Sequence, residues 1–255
     1  MQTAAFIDDR LSLADCQRLC YGHPTCPSFL YCDEPLPTLP PPLTVVLPPL
    51  CERHMAARDR FLQRLEAAWP NAALEISAGD LGTLCFLNRY RRVNGIRWSL
   101  AAGPFMGHQD TDPLLFDYLA PSDVRIPAWD GGERAELISK TPSPQMIDHW
   151  ATPQAFSMGE LLKRYGADRM ELCAQPIPWR LCDAPLPVTA YGAAFLSMSP
   201  CTGRCPCHGN SLAGMRGGKT LRWWRNLLWY HDERPMPADR IVFMRAMDSA
   251  QNTHS

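Results

Sequence analysis

The chain has 255 residues, of which 46% are hydrophobic, so it is long and apolar enough for one α/β barrel or for two smaller domains. Its net charge of −1 excludes a global basic field of the kind that favours nucleic acid, although a local basic patch is compatible with it. The start of the chain lacks the layout of a signal peptide, and no apolar run reaches the roughly 18 residues of a membrane span. We therefore expect a cytoplasmic protein, in which eleven cysteines are ligands or buried thiols more often than disulfides.

Residues 1–42 are predicted to form a Cys/Pro-rich N-terminal segment. Thr3–Ile7 suggests a short edge strand, and the proline-rich stretch 35–42 suggests an extended connector. Cys16 and Cys20 stand four positions apart, a spacing that would place them on one face of a helix. Two interpretations stay open for the four thiols of this segment: a metal site or a contribution to one, and small buried residues in irregular structure. They are Cys16, Cys20, Cys26 and Cys32.

Strand and helix patterns alternate from residue 43 onward. Leu43–Leu47 is a short apolar run rich in β-branched residues and bounded by prolines, which predicts a buried strand. Apolar residues at helical spacing follow over 52–69, and Asp80 suits the N-cap of the next predicted helix, 81–87. Repeated strand–helix steps predict an α/β fold, a parallel TIM-like barrel that can be incomplete, over residues 43–248, with a disordered tail at 249–255. Further predicted strands are 74–76, 97–101, 168–173, 187–196 and 240–244, and further predicted helices are 52–69, 81–87 and 157–165.

Two groups of polar residues are candidates for substrate contact. In parallel barrels the loops that follow the strands build the site, and Gly103–Pro113 follows a predicted strand. His108 and Asp110 in that loop could transfer protons or bind ligand, although a plain loop with a helix cap explains the stretch equally well. Arg169 and Glu171 lie at alternating positions of another predicted strand.

The chain is most distinctive where three thiols fall within seven residues. Cys201, Cys205 and Cys207 are separated by Gly203 and Pro206, which favour a folded loop in which the sulfurs can converge. Thiolates are preferred ligands of iron–sulfur clusters, zinc and copper(I). An iron–sulfur cluster is favoured because zinc sites usually show paired Cys-x-x-Cys knuckles, which this chain lacks, and zinc stays the alternative. The predicted strand 187–196 runs directly into these thiols, which we therefore expect at the carboxyl end of a barrel strand. The proposed fourth ligand is Cys182, because it precedes that strand, with Cys51 as the alternative and the N-terminal thiols as an alternative cluster.

Several short matches, in order, resemble the collagenase-like peptidase family U32. They cover roughly residues 43–245. The matching stretches are Leu74–Gly82, Gly103–Pro113, Ala167–Leu172, Tyr191–Cys201 and Asp239–Val242.

The U32 resemblance implies a TIM-like barrel in which four cysteines hold a [4Fe–4S] cluster, and oxygen-independent hydroxylation of quinone precursors or RNA bases. The tight Cys-x3-Cys-x-Cys spacing and the extra N-terminal thiols depart from that family's pattern. Three alternatives stay open: a non-catalytic, cluster-bearing subunit in a hetero-oligomer with another U32-like protein, a zinc-stabilised structural protein, and a peptidase. The sequence argues against the peptidase, because it has no Ser/His/Asp or His-Glu-x-x-His arrangement and a ligand thiol would be sequestered. Whether the substrate is a small aromatic molecule or RNA is left open.

Overall fold

A computed structural model gives the structure of the chain. It describes the backbone of the short strands between 124 and 137 and, apart from a few side chains, the ranges 2–6, 16–32, 42–69, 74–106, 159–173, 186–198, 210–216, 219–231 and 238–244, together with residue 36.

Eight parallel strands close into a barrel. The strands are β1 (Gln2–Phe6), β2 (Arg18–Gly22), β3 (Leu43–Val46), β4 (Leu74–Ala78), β5 (Ser99–Ala102), β10 (Arg169–Cys173), β11 (Val188–Tyr191) and β16 (Arg240–Phe243). Around the barrel the order is β1, β16, β11, β10, β5, β4, β3, β2, and every neighbouring pair, including β1 with β2, is parallel. The predicted α/β barrel is therefore confirmed, and its ring of strands is complete.

The N-terminal segment supplies two of these strands, which corrects the predicted boundary at residue 43. Ala5 of β1 pairs with Leu19 on one side and with Phe243 on the other, so β1 is an interior strand of the ring and not an edge. Cys20 lies on β2 and not on a helix, so the predicted helical face with Cys16 is wrong. The physical reason is closure: pairing β1 with β16 removes the free edges that an open sheet would leave.

Three described helices lie among the barrel strands. Helix α1 (Met55–Ala68) follows a short 3-10 turn, helix α2 (Leu81–Val93) follows β4, and helix α3 covers 159–164 ahead of β10. The predicted cap of α2 is confirmed, because the Asp80 carboxylate accepts from the Thr83 amide at 2.7 Å. Asp80 also accepts from the Leu50 amide at 2.9 Å, so one side chain ties α2 to the segment after β3.

A four-stranded antiparallel sheet leaves the barrel directly after β11. Its strands lie in the order β12 (Ala193–Met198), β15 (Leu227–His231), β14 (Lys219–Trp224) and β13 (Asn210–Arg216). The strand predicted over 187–196 is therefore two strands that break at Gly192, whose amide donates to the Val242 carbonyl at 2.9 Å. Because β12 belongs to the second sheet, the thiol loop does not directly follow a barrel strand, contrary to expectation.

Two small ladders complete the described backbone. Strand β6 (Val124–Arg125) pairs with β9 (Glu136–Leu137), and β7 (Ala128–Trp129) pairs with β8 (Gly132–Glu133). Among the described residues, no helix combines the length and the apolar composition needed to cross a membrane.

Apolar side chains pack in two separate clusters. The larger lies between the barrel wall and the helices and includes Phe61, Leu65 and Leu87. The smaller joins the barrel interior to the antiparallel sheet and includes Phe6, Trp224 and Trp229. Trp224 and Trp229 are 5% and 0% exposed, so both are core residues.

Candidate functional site

Charged side chains occupy the barrel interior near the amino ends of the strands. Glu75 of β4 accepts from the Thr44 hydroxyl at 2.9 Å and pairs with the Arg240 guanidinium. Nε of Arg169 lies 3.4 Å from the same carboxylate. Burial alone would raise the pKa of Glu75, but the hydrogen bond and charge of Arg240, with the charges of Arg18 and Arg169, hold that pKa below its usual value.

Three arginines thus surround one carboxylate. Arg18 donates to the Thr44 hydroxyl at 3.3 Å, and Arg240 donates to the Gln2 amide oxygen at 2.9 Å. Burial lowers the pKa of both Arg18 and Arg169. The excess of positive charge is compatible with folding because backbone and side-chain oxygens accept from the guanidiniums, as Val188 does from Arg169 at 3.3 Å.

A second carboxylate, Glu171, lies further along the barrel axis. It is 1% exposed and accepts from the Ser77 hydroxyl at 2.7 Å and the Tyr191 hydroxyl at 3.0 Å. Burial raises the pKa of Glu171 to about 7, an effect that the two hydrogen bonds partly offset and the Glu75 charge reinforces. A carboxyl that titrates near neutral pH can hold or release a proton inside the barrel.

Neighbouring groups stay protonated. Burial, with the Glu171 charge, raises the pKa of the Cys20 thiol and of the Tyr191 phenol well above their usual values. Cys20 is therefore a buried neutral thiol, and thiolate chemistry or metal ligation there is disfavoured.

Apolar side chains fill the interior beyond Glu171, toward the carboxyl ends of the strands. The Phe6 ring packs edge-on against Trp224 with 4.7 Å between centroids, and the Tyr191 ring lies 5.4 Å from that of Phe195. The Phe105 ring, after β5, lies 5.7 Å from the Phe195 ring between centroids. Side chains of the antiparallel sheet therefore cover the end of the barrel at which barrel enzymes usually bind substrate.

The segment that carries Cys201, Cys205 and Cys207 connects β12 to β13. In the antiparallel sheet, the last residue of β12 and the first residue of β13 lie at the same height along the strands. Met198, at the end of β12, pairs with Leu227, which pairs with Trp224, which pairs with Asn210 at the start of β13. The four residues form one row, three strand spacings or roughly 14 Å wide. Met198 and Asn210, the two described residues that flank 199–209, therefore lie at the same end of the sheet.

That end of the sheet is the β14–β15 turn, and it is fastened to the segment after β2. The Thr25 hydroxyl donates to the Asn226 side-chain oxygen at 2.8 Å, and the Asn226 amide donates to the Thr25 carbonyl at 3.0 Å. Arg225, at φ 54°, donates to the Ser28 hydroxyl at 3.2 Å. Residues separated by about two hundred positions thus meet at one place, which we call the turn junction (Thr25–Ser28 with Arg225–Asn226).

Cys26 is the thiol of the turn junction. Its sulfur lies 3.2 Å from the Ser28 hydroxyl. Burial alone would raise the pKa of Cys26, but the hydrogen bonds with Ser28 and the charge of Arg225 lower it overall. Nδ1 of His23 accepts from the Cys26 and Thr25 amides, both at 3.1 Å, and burial lowers the pKa of His23 well below its usual value. A neutral imidazole therefore lies beside the junction, and the thiol within the junction has a lowered pKa.

The predicted residues fall into four groups. Arg169 and Glu171 face the barrel interior, where partly buried Arg169 contacts Glu75 and Thr189 and buried Glu171 accepts from Ser77 and Tyr191. Among the described residues, which include Cys16, Cys20, Cys26 and Cys32, no three Cys, His, Asp or Glu side chains are arranged to hold a metal ion. Cys51 is exposed, ahead of the 3-10 turn. His108, Asp110, Cys182, Cys201, Cys205 and Cys207 lie outside the described residues.

Sequence reasoning missed most of the interior network. Glu75, Arg240 and Arg18 each stand in a short, otherwise apolar strand, and that break in the apolar pattern is the signal that could have identified them. No local sequence pattern indicates the turn junction, because the residues that meet there are about two hundred positions apart in the chain.

No protein-family model, no curated protein and no solved structure matches the chain at a significant level.

Proposed function

We propose that the chain is an iron–sulfur protein of the U32 type, in which Cys201, Cys205 and Cys207 hold a cluster beside the turn junction. The observation that carries the proposal is the close spacing of the three thiols in the sequence. It is supported by the position of Met198 and Asn210, which flank the thiol segment and lie at the same end of the antiparallel sheet. Three thiolates with a fourth protein ligand are the donor set of [4Fe–4S] clusters.

Cys26 fits the fourth position better than the sequence-based choices, Cys182 and Cys51. It lies at the turn junction, two residues from the Ser28 hydroxyl that Arg225 contacts. Arg225 begins the two-residue turn directly after Trp224, a member of the row. An eleven-residue connection readily spans a row roughly 14 Å wide, so its thiols have the reach to meet Cys26.

The reaction we propose is an oxygen-independent hydroxylation or a related redox modification of an aromatic or nucleobase substrate. A bound cluster would supply redox chemistry. Glu171, with a pKa of about 7, could exchange a proton at its carboxylate with a group that enters the barrel, while the Tyr191 hydroxyl, which stays protonated, holds the carboxylate by its hydrogen bond. His108 and Asp110 stay candidates for substrate contact on the sequence pattern alone.

A second candidate, a non-catalytic cluster-bearing subunit of a hetero-oligomer with another U32-like protein, is favoured by one specific observation. The interior at the carboxyl ends of the strands is filled by Phe6, Phe195 and Trp224. A substrate would have to displace these side chains in this chain, whereas a partner subunit could provide the open site.

Anaerobic purification followed by an absorption spectrum and iron and sulfide assays tests the cluster. We expect Cys205→Ser, Cys207→Ser and Cys26→Ser to lose most of the bound iron, because metal binding and local folding are coupled. Cys85→Ser, on α2, is the matched control and should keep it. Zinc without iron in the wild-type protein would support the zinc alternative, and full iron in Cys205→Ser and Cys207→Ser would refute the proposed ligands. Turnover of a candidate substrate by the chain alone would refute the subunit alternative.

A further inference from the structure

Arginines of two helices face one open cavity at the amino-terminal face of the barrel. The cavity, about 510 Å³ in volume, lies between the ends of α2 and α3 and is lined by Arg89 and Arg92 of α2 and by Arg164 of α3. All three side chains belong to exposed residues. The surface is thus locally basic in a chain whose net charge is only −1.

Arg91 fixes the two helices against each other. It donates to the Gly166 carbonyl at 2.9 Å and to the Trp98 carbonyl at 3.0 Å, and it pairs with the Asp168 carboxylate at 2.6 Å. Gly166 adopts φ +93°, and a Cβ there would lie 2.3 Å from the Asn88 side chain, so the α3–β10 turn packs tightly on α2. This contact keeps Arg89 and Arg92 of α2 beside Arg164 of α3.

The nearby carboxylate is already engaged. The Asp168 oxygen that pairs with Arg91 also accepts from the Leu100 amide at 2.8 Å. Within the described part of the chain, Arg89, Arg92 and Arg164 take part in no ion pair. Three guanidiniums are therefore left facing one cavity without a described counter-charge.

Helix dipoles explain only part of this arrangement. A cation in the last turn of a helix is favourable, and Arg92 and Arg164 occupy last turns. Arg89 precedes the last turn of α2 and nevertheless lines the same cavity. Guanidiniums are planar forks that match phosphate oxygens in a bidentate manner, and several together favour a multiply charged anion over a single carboxylate.

We propose that Arg89, Arg92 and Arg164 form a binding site for a phosphate group at the amino-terminal face of the barrel. The phosphate belongs either to a small phosphate monoester or to a nucleic-acid backbone. A second cavity of about 560 Å³, lined by Arg92 and Arg97, adjoins the first and would accommodate the rest of the ligand or the next phosphate. The site is independent of the proposed iron–sulfur centre.

Calorimetric titration of the full chain with inorganic phosphate, at an ionic strength held constant with chloride, tests the site. Substituting Arg89→Gln, Arg92→Gln or Arg164→Gln should each weaken phosphate binding by roughly tenfold, the effect of one lost charge-assisted hydrogen bond. Arg60→Gln, at an exposed position of α1, is the matched control and should leave the affinity unchanged. Circular dichroism and iron content should not change in any variant.

Two further titrations identify the source of the phosphate. Adenosine monophosphate and a short single-stranded RNA are compared, each over a series of salt concentrations. The nucleic-acid backbone is the source if the RNA binds more tightly and if the slope of log affinity against log salt concentration falls by about one for each substituted arginine. A phosphate monoester is the source if the monophosphate binds as tightly as the RNA or more tightly. Phosphate heats no larger than those of the chloride blank, or an affinity that the triple variant retains, would overturn the proposal.

Discussion

The Glu75 carboxylate should hold the barrel interior together, and replacing it with glutamine measures how much. Glutamine keeps the size of the side chain and an acceptor for the Thr44 hydroxyl. It removes the negative charge that Arg240 and Arg169 face, and the Arg240 side chain is only 4% exposed. The perturbation is therefore electrostatic and not a change in packing.

The expected loss is large for one substitution. Breaking a buried ion pair from one side costs about 3–5 kcal/mol, because the remaining charge is left desolvated and uncompensated. For a chain of this size each kcal/mol lowers Tm by about 2–4 °C, so we expect Glu75→Gln to lower Tm by roughly 10 °C. Urea unfolding at neutral pH, followed by circular dichroism, gives the free energy of unfolding independently.

A matched control and a double variant separate this explanation from a general loss of stability. Glu52→Gln, at an exposed position, should change the free energy of unfolding by less than about 0.5 kcal/mol. Glu75→Gln with Arg240→Met should lose less than the two single losses added together, because no unpaired Arg240 charge then stays buried. A Glu75→Gln loss as small as that of Glu52→Gln, or strict additivity in the double variant, would refute the reasoning.

Four further predictions concern the same interior and its supports. The folded pKa of Glu171 is raised to about 7, so its contribution to the free energy of unfolding is complete at acid pH and is lost as the pH rises through about 7. The free energy of unfolding of the wild type should therefore decline by about 3 kcal/mol over this rise in pH. Urea unfolding at several pH values should show that Glu171→Gln flattens this decline. The pKa of Glu75 is lowered, so its effect on stability changes with pH in the opposite direction. Its contribution to the free energy of unfolding should be lost as the pH falls below the usual carboxyl range. Comparing the pH dependence of unfolding of Glu75→Gln with that of the wild type checks this. Trp229→Ala should cost about 3–5 kcal/mol in urea unfolding, because the side chain is fully buried, and a cost below 1 kcal/mol would contradict its place in the core. Asp80→Ala should lower the free energy of unfolding by about 1–2 kcal/mol, with the loss of the cap and of the Leu50 contact, whereas Asp80→Asn should recover most of it.

Local patterns by themselves determined most of the secondary structure of the barrel. The apolar run at Leu43–Val46 formed a strand because its β-branched side chains suit a buried, pleated surface, and Asp80 capped α2 through its own first turn. Both effects act within a few residues, so they are visible in the sequence. The succession of strand and helix then favoured a parallel barrel, which the eight-stranded ring confirms.

Only the tertiary structure decided what depends on contacts between distant residues. Ring closure drew Gln2–Phe6 and Arg18–Gly22 into the barrel, although the sequence predicted only an edge strand for the first and a helical face with Cys20 for the second. The Glu75–Arg240 pair joins residues 165 positions apart, and the Thr25–Asn226 pair joins residues 201 positions apart. No local pattern encodes such pairs, because their energy depends on burial and on the direction of side chains from different strands.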